Sequence, residues 1–209
     1  MRRSALGKFD EPERQIQETN MAQSAPELPT AGNLQALLAP SNDPWQVNLT
    51  DPAASVMTDF RVRSMFKLSP DEHIDAALEK MKVAGLRIAF VFEKGSDNVL
   101  GMITAYDIMG EKPIRYMQDI GLNDHHITRK DIKVGDILDP VSTWVTANLR
   151  DVARATVQSV LIALQKSGRT HLPVVEPSDG PTPRLRGLFS SAKLLRLSEA
   201  ARQQTGKGK

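Results

Sequence analysis

The stretch GMITAYDI, residues 101–108, returns as GLFSSAKL at 187–194, with a hydroxyl kept in place (Thr104, Ser190) and an aspartate turned into a lysine (Asp107, Lys193). The echo extends upstream. GLRIAFVFE (85–93) lies over GRTHLPVVE (168–176) at an offset of 83, whereas the later phrases align at 86, so the second copy holds three extra residues between them. That spacer is KGSDN in the first copy and PSDGPTPR in the second, both turn-rich, as hairpin loops are. The flanking runs, RIAFVF with VLGMIT and HLPVVE with LRGLFS, are short, apolar and suited to buried strands.

Ahead of each hairpin stands a helical pattern. Ile74, Ala77, Leu78 and Met81 fall at i, i+3, i+4 and i+7, and Val157, Val160, Leu161 and Leu164 repeat that stripe. Ser69 with Pro70 predicts the first helix start; the second is expected near Leu149 and Asp151. Gly85 and Gly168 stand where a helix C-terminal glycine belongs. Each copy therefore reads helix, glycine, strand, turn, strand, helix. One such sheet is too small to bury its apolar faces alone, so the copies are expected to pack against each other.

Composition narrows the function classes. The chain has 209 residues, 27 basic and 25 acidic, a formal charge of +2, and no cysteine. Disulfides, thiolate nucleophiles and cysteine-ligated metal centres are thereby excluded. No apolar run approaches the ~18 to 20 residues of a membrane span, and the first ten residues lack a signal-peptide core, so a cytoplasmic protein is expected. Near-neutral charge and 5% aromatic content leave nucleic-acid binding unsupported.

The duplicated phrase resembles the tandem cystathionine-β-synthase (CBS) domain pair, or Bateman module. The residues that carry the likeness are HLPVVE in the second copy, Gly101, Thr104 and Asp107 in the first, IKVGDIL (132–138) and VMTDF (56–60). The resemblance implies an α/β (α+β) fold: two tandem repeats, each a small sheet packed on helices, related by a pseudo-twofold axis. Residues 1–53 are then a flexible arm with a possible short helix over 33–38, 54–112 the first repeat, 113–131 a linker, 132–200 the second repeat and 201–209 a disordered tail. It further implies a non-enzymatic regulatory module that needs no cofactor and binds AMP, ADP, ATP or S-adenosylmethionine between the repeats. Such a module is expected to homodimerise and to act on a protein target in trans. The alternative is an interaction module that keeps the fold without a ligand.

By the same resemblance, Thr104 helps hold a phosphate at a helix start and Asp107 accepts ribose hydroxyls. Leu86, Arg87 and Ile88 in the first copy, and Arg169, Thr170, His171 and Pro173 in the second, fall on the adenine-contacting segment. Phe90 stands where the family often has proline. In the second copy Ser190 keeps the hydroxyl, but Lys193 donates only and cannot replace a ribose-accepting carboxylate. Arg169, Arg184 and Arg186 are candidates for phosphate charge. Thr104 and Asp107 read equally as a plain helix cap, and Lys193 as a solvated lysine. His125 and His126 read as linker residues, and Trp45 is a large apolar side chain in a polar stretch.

Overall fold

The computed structural model describes residues 44–121, 127–180 and 182–206. The expected helix over 33–38 and the His125–His126 pair lie outside them. In chain order the strands are β1 Thr58–Asp59, β2 Lys67–Leu68, β3 Ile88–Phe92, β4 Val99–Thr104, β5 Asp139–Pro140, β6 Ala147–Asn148, β7 His171–Glu176 and β8 Arg184–Ser190. The α-helices are α1 Ile74–Val83, α2 Ala105–Met109, α3 Lys112–Gly121, α4 Val134–Ile137, α5 Leu149–Val152, α6 Val157–Ser167 and α7 Ser191–Gly206.

Two four-stranded sheets result, ordered β2-β3-β4-β5 and β1-β8-β7-β6. Each is built around an antiparallel hairpin, β3 with β4 or β7 with β8, and each hairpin carries a bulge at the same place, Val91/Phe92 and Val174/Val175. A short parallel strand flanks each hairpin on one side, β2 on β3 and β6 on β7. The other flank is exchanged between the copies. β5, from the opening of the second copy, pairs with β4 of the first, and β1, from the opening of the first, pairs with β8 of the second. The exchange obeys the pseudo-twofold: Gly101 faces Pro140 and Gly187 faces Asp59.

This crossing explains why glycine recurs at 101 and 187. Neither residue has a positive φ; the only described ones that do are Gly85, Gly95 and Gly168. A Cβ on Gly101 would lie 2.5 Å from both the Asp139 carbonyl oxygen and Leu138 Cδ1, and one on Gly187 would lie 2.8 Å from the Thr58 carbonyl oxygen and Met57 Sδ. The exchanged strand thus rests directly on glycine backbone. Gly101→Ala is expected to cost about 1–3 kcal/mol by displacing β5, the usual range for overpacking. Gly180→Ala, whose new Cβ meets nothing nearer than Ser178 Oγ at 3.7 Å, is expected to stay within about 0.5 kcal/mol. Urea denaturation of the two variants checks the contrast.

The helices follow their apolar stripes. Ile74, Ala77, Leu78 and Met81 of α1 are buried, as are Val157, Val160 and Leu164 of α6, with Leu161 partly buried beside them. Gly168 ends α6 in the left-handed conformation at φ 64°, and Gly85 follows α1 at φ 65°. The helix starts differ from the sequence expectation. Ser69 and Pro70 form a turn, and α1 begins only at Ile74, because the carbonyls of Pro70 and Glu72 accept from Gly135 N–H and Val134 N–H of the other copy. Leu149 and Asp151 belong to a separate short helix, α5; α6 starts after Thr156, whose side chain accepts from Ser159 N–H.

Two boundaries also move. Residues 47–53, read from sequence as part of the arm, are docked on the second copy. Val47 is buried and donates to the Leu197 carbonyl at 3.1 Å, and the carbonyls of Leu49 and Asp51 accept from Gln158 and Val157 N–H at the start of α6. α7 carries helix to Gly206, past the expected start of the tail at 201. Trp45 is 64% exposed.

Each copy has its own core. Ile74, Met81, Val91, Ile103 and Ile108 anchor the first, and Val56, Val157, Val174, Phe189 and Leu194 the second. A third apolar cluster joins them, formed by Phe90, Phe92, Met102 and Leu188 with Phe60 and Trp144 packed against it. It is at this junction that the copies pack together.

Candidate functional site

Beside the junction lies a cavity of about 260 Å³ lined by Met102, Thr104, Asp107, Lys112, Asp139, Gly168, Arg169, Thr170 and His171. Its walls come from both copies. The first supplies the end of β4 and the start of α2; the second supplies β5 and the turn from α6 into β7.

Thr104 is the N-cap of α2 and forms a reciprocal box with Asp107. Asp107 N–H donates to Thr104 Oγ1 at 3.1 Å, and Asp107 Oδ2 accepts from Thr104 N–H at 2.8 Å and from the Thr104 hydroxyl at 2.7 Å. The cap reading of these residues is therefore realised. Asp107 Oδ1 remains turned to Lys112 Nζ at 3.0 Å. Lys112, at the start of α3, also donates to the Ile137 carbonyl at 3.3 Å.

Across the cavity, Arg169 follows the left-handed Gly168. Its Nη1 reaches Asp139 Oδ2 at 3.4 Å and its Nη2 donates to the Thr143 carbonyl at 3.0 Å. Asp139 Oδ1 accepts from the Thr143 hydroxyl at 3.0 Å. His171 opens β7 with its Nδ1 3.0 Å from Thr170 Oγ1. Burial holds its imidazole below the ordinary histidine value, and the nearby Asp107 carboxylate offsets this only in part. The imidazole is neutral at pH 7, so the charge in the cavity is carried by Lys112, Arg169, Asp107 and Asp139.

Of the residues singled out from the sequence, Thr104, Asp107, Arg169, Thr170 and His171 meet here. Leu86, Arg87, Ile88, Pro173, Ser190 and Lys193 are not among the lining residues. Ile88 packs on the inter-copy cluster, the Arg87 carbonyl accepts from Ala105 N–H, and Pro173 pairs with Leu188 within the second hairpin. Ser190 faces His171 in register, and Lys193 sits in the first turn of α7. The pseudo-twofold places Ser190 and Lys193 opposite Thr104 and Asp107, and Leu86 to Ile88 opposite Arg169 to His171. These residues thus belong to the counterpart cleft.

Arg186, read as a phosphate candidate, is placed elsewhere. It pairs with Asp59 and lies 3.1 Å from Glu176 Oε2, an ion-pair contact without hydrogen-bond alignment at Nε. Lys112 and Asp139 were missed from sequence. Lys112 lies five residues beyond the motif in a new helix, and Asp139 reaches the cavity only through the strand exchange. Among the described residues no group of three or more His, Asp or Glu side chains is placed to hold a metal ion, and no helix is long and apolar enough to cross a membrane.

Residues 53–113 match the family model of the CBS domain. The first copy is a CBS domain. The second copy is built on the same plan, strand for strand, and the chain is a tandem CBS protein of mixed α/β fold. No curated protein sequence matches the chain. Solved structures similar to it include a conserved protein from Pyrococcus horikoshii, at 20% identity over 75% of this chain and 96% of that one, with a TM-score of 0.48. The CBS-pair protein CBSX2 from Arabidopsis thaliana is 18% identical over 78% of this chain and 99% of its own, with a TM-score of 0.44. A CBSX2 structure in complex with AMP gives 19% identity, coverage of 71% and 94%, and a TM-score of 0.46.

Proposed function

We propose that this CBS pair is a non-enzymatic sensor of an adenosine-containing ligand, AMP, ADP, ATP or S-adenosylmethionine, and that it acts in trans on a protein target as a cytoplasmic homodimer. The observation that carries the reading is the cavity's dual origin: Thr104 and Asp107 from one CBS repeat face Arg169, Thr170 and His171 from the other. A ligand seated there touches both repeats, so it favours whichever packing of the two it binds better. Its size supports the smaller candidates, since ~300 Å³ is the lower end for ligand pockets and this one has about 260 Å³.

The two clefts differ in charge. By the pseudo-twofold, Lys193 replaces Asp107 and Thr58 replaces Asp139, so the counterpart cleft lacks both carboxylates of the first. One ligand per chain is expected. Calorimetric titration with each of the four compounds, with GTP as a control, tests the reading. Asp107→Asn, which keeps an acceptor for the cap, should weaken the bound ligand by roughly tenfold or more through the lost charge-assisted bonds. Saturation at two ligands per chain, or an unchanged affinity in the variant, contradicts the site assignment.

The alternative is an interaction module without a ligand. It is favoured by one observation: Asp107 is already engaged by Thr104 and Lys112, a complete structural cap.

A further inference from the structure

The cavity's hydrogen-bonding capacity is unevenly spent. An ammonium has three donors and a guanidinium five. Among the described residues Lys112 Nζ uses two, on Asp107 Oδ1 and the Ile137 carbonyl, and Arg169 uses two, on Asp139 Oδ2 and the Thr143 carbonyl. One N–H on Lys112 and three on Arg169 are left over. The carboxylates stand the other way, since every oxygen of Asp107 and Asp139 has a partner: Thr104 and Lys112 for one, Thr143 and Arg169 for the other. What fills this space must bring acceptors. The two cations also come from different repeats, Lys112 at the head of α3 and Arg169 ahead of β7.

We infer that Lys112 and Arg169 form a clamp across the two CBS repeats for the phosphate of a bound nucleotide, so that the site selects nucleoside phosphates over nucleosides and over the net-cationic S-adenosylmethionine. This rests on the adenosine-ligand reading above and narrows its substrate class. The ammonium serves as a point charge and the guanidinium as a fork, the two usual means of holding phosphate. When Lys112 turns to the phosphate, Asp107 Oδ1 is released to accept from the ribose. The counterparts of Lys112 and Arg169 under the pseudo-twofold are Ser198 and Leu86, which are uncharged, so the clamp is confined to this cleft.

The test is calorimetric titration of the full chain, wild type and Lys112→Gln, with AMP, adenosine, S-adenosylmethionine and inorganic pyrophosphate; Lys112→Arg serves as the conservative variant. The wild type should bind AMP at least about tenfold tighter than adenosine or S-adenosylmethionine. Lys112→Gln should weaken AMP roughly tenfold while leaving adenosine within twofold, and Lys112→Arg should restore most of the loss. Equal wild-type affinities for AMP and adenosine, or equal weakening of both by Lys112→Gln, overturns the clamp while leaving the adenosine reading in place. Binding of pyrophosphate that depends on Lys112, without binding of AMP or adenosine, supports the clamp and overturns the adenosine reading. Binding of none of the four overturns both.

Discussion

Truncating Phe90 to alanine is expected to destabilise the chain by about 3–5 kcal/mol, the range for a large aromatic removed from a packed core. Phe90 is 2% exposed, and its ring meets Phe60 edge-on at 5.2 Å between centroids and Trp144 at 6.2 Å. Phe60 follows β1 and Trp144 follows β5, so this one side chain touches the residues trailing both exchanged strands. Trp144 is itself fixed by its Nε1–H, which donates to the Asp139 carbonyl at 3.0 Å. For a chain of this size the loss corresponds to a fall in melting temperature of roughly 6–20 °C. Calorimetry decides it, and a drop of less than about 1 kcal/mol would mean that the repeats are held together elsewhere. The same position shows why the expected proline is absent: Phe90 N–H donates to the Phe66 carbonyl at 2.9 Å, a bond proline cannot make. Its counterpart in the second repeat is Pro173.

Arg186→Met should cost about 3 kcal/mol while leaving ligand affinity unchanged. The Arg186 and Glu176 side chains are 12% and 15% exposed, and Asp59 completes the group. Removing one member of a buried ion group strands the others, which typically costs 3–5 kcal/mol. The lower end applies because Arg61 still neutralises Glu176 at 3.1 Å. Arg61→Ala, at a side chain 67% exposed, should cost at most about 1 kcal/mol. Urea denaturation of both variants, paired with AMP titration, separates this structural role from the phosphate role read from sequence. A tenfold loss of AMP affinity in Arg186→Met at unchanged stability would reverse the assignment.

How much of this was legible in the sequence depended on the range over which each feature is encoded. The apolar stripes of α1 and α6, the helix-ending glycines and both hairpins are local, and their periodicity or turn chemistry stated them. The strand exchange is not local. Thr58–Asp59 and Asp139–Pro140 are too short to show alternation, and the only trace they leave is glycine at 101 and 187, where another backbone rests. The Ser69 cap failed for the same reason, since carbonyls that a helix would have used are taken by Val134 and Gly135 across the pseudo-twofold. At the cavity, Thr104 and Asp107 stood out through duplication. Lys112 and Asp139 did not, because they join the site through tertiary placement alone.

Thermal unfolding of the wild-type chain with and without AMP tests the central claim most directly, namely that the cavity shared by the two CBS repeats holds an adenosine ligand. At about 100 times its dissociation constant, a ligand bound only to the folded state stabilises it by roughly 2.7 kcal/mol. The account predicts a rise of about 5–11 °C with AMP, absent with GTP and reduced in Asp107→Asn. No rise with AMP, ADP, ATP or S-adenosylmethionine at millimolar concentration would contradict it and leave the interaction module as the standing reading.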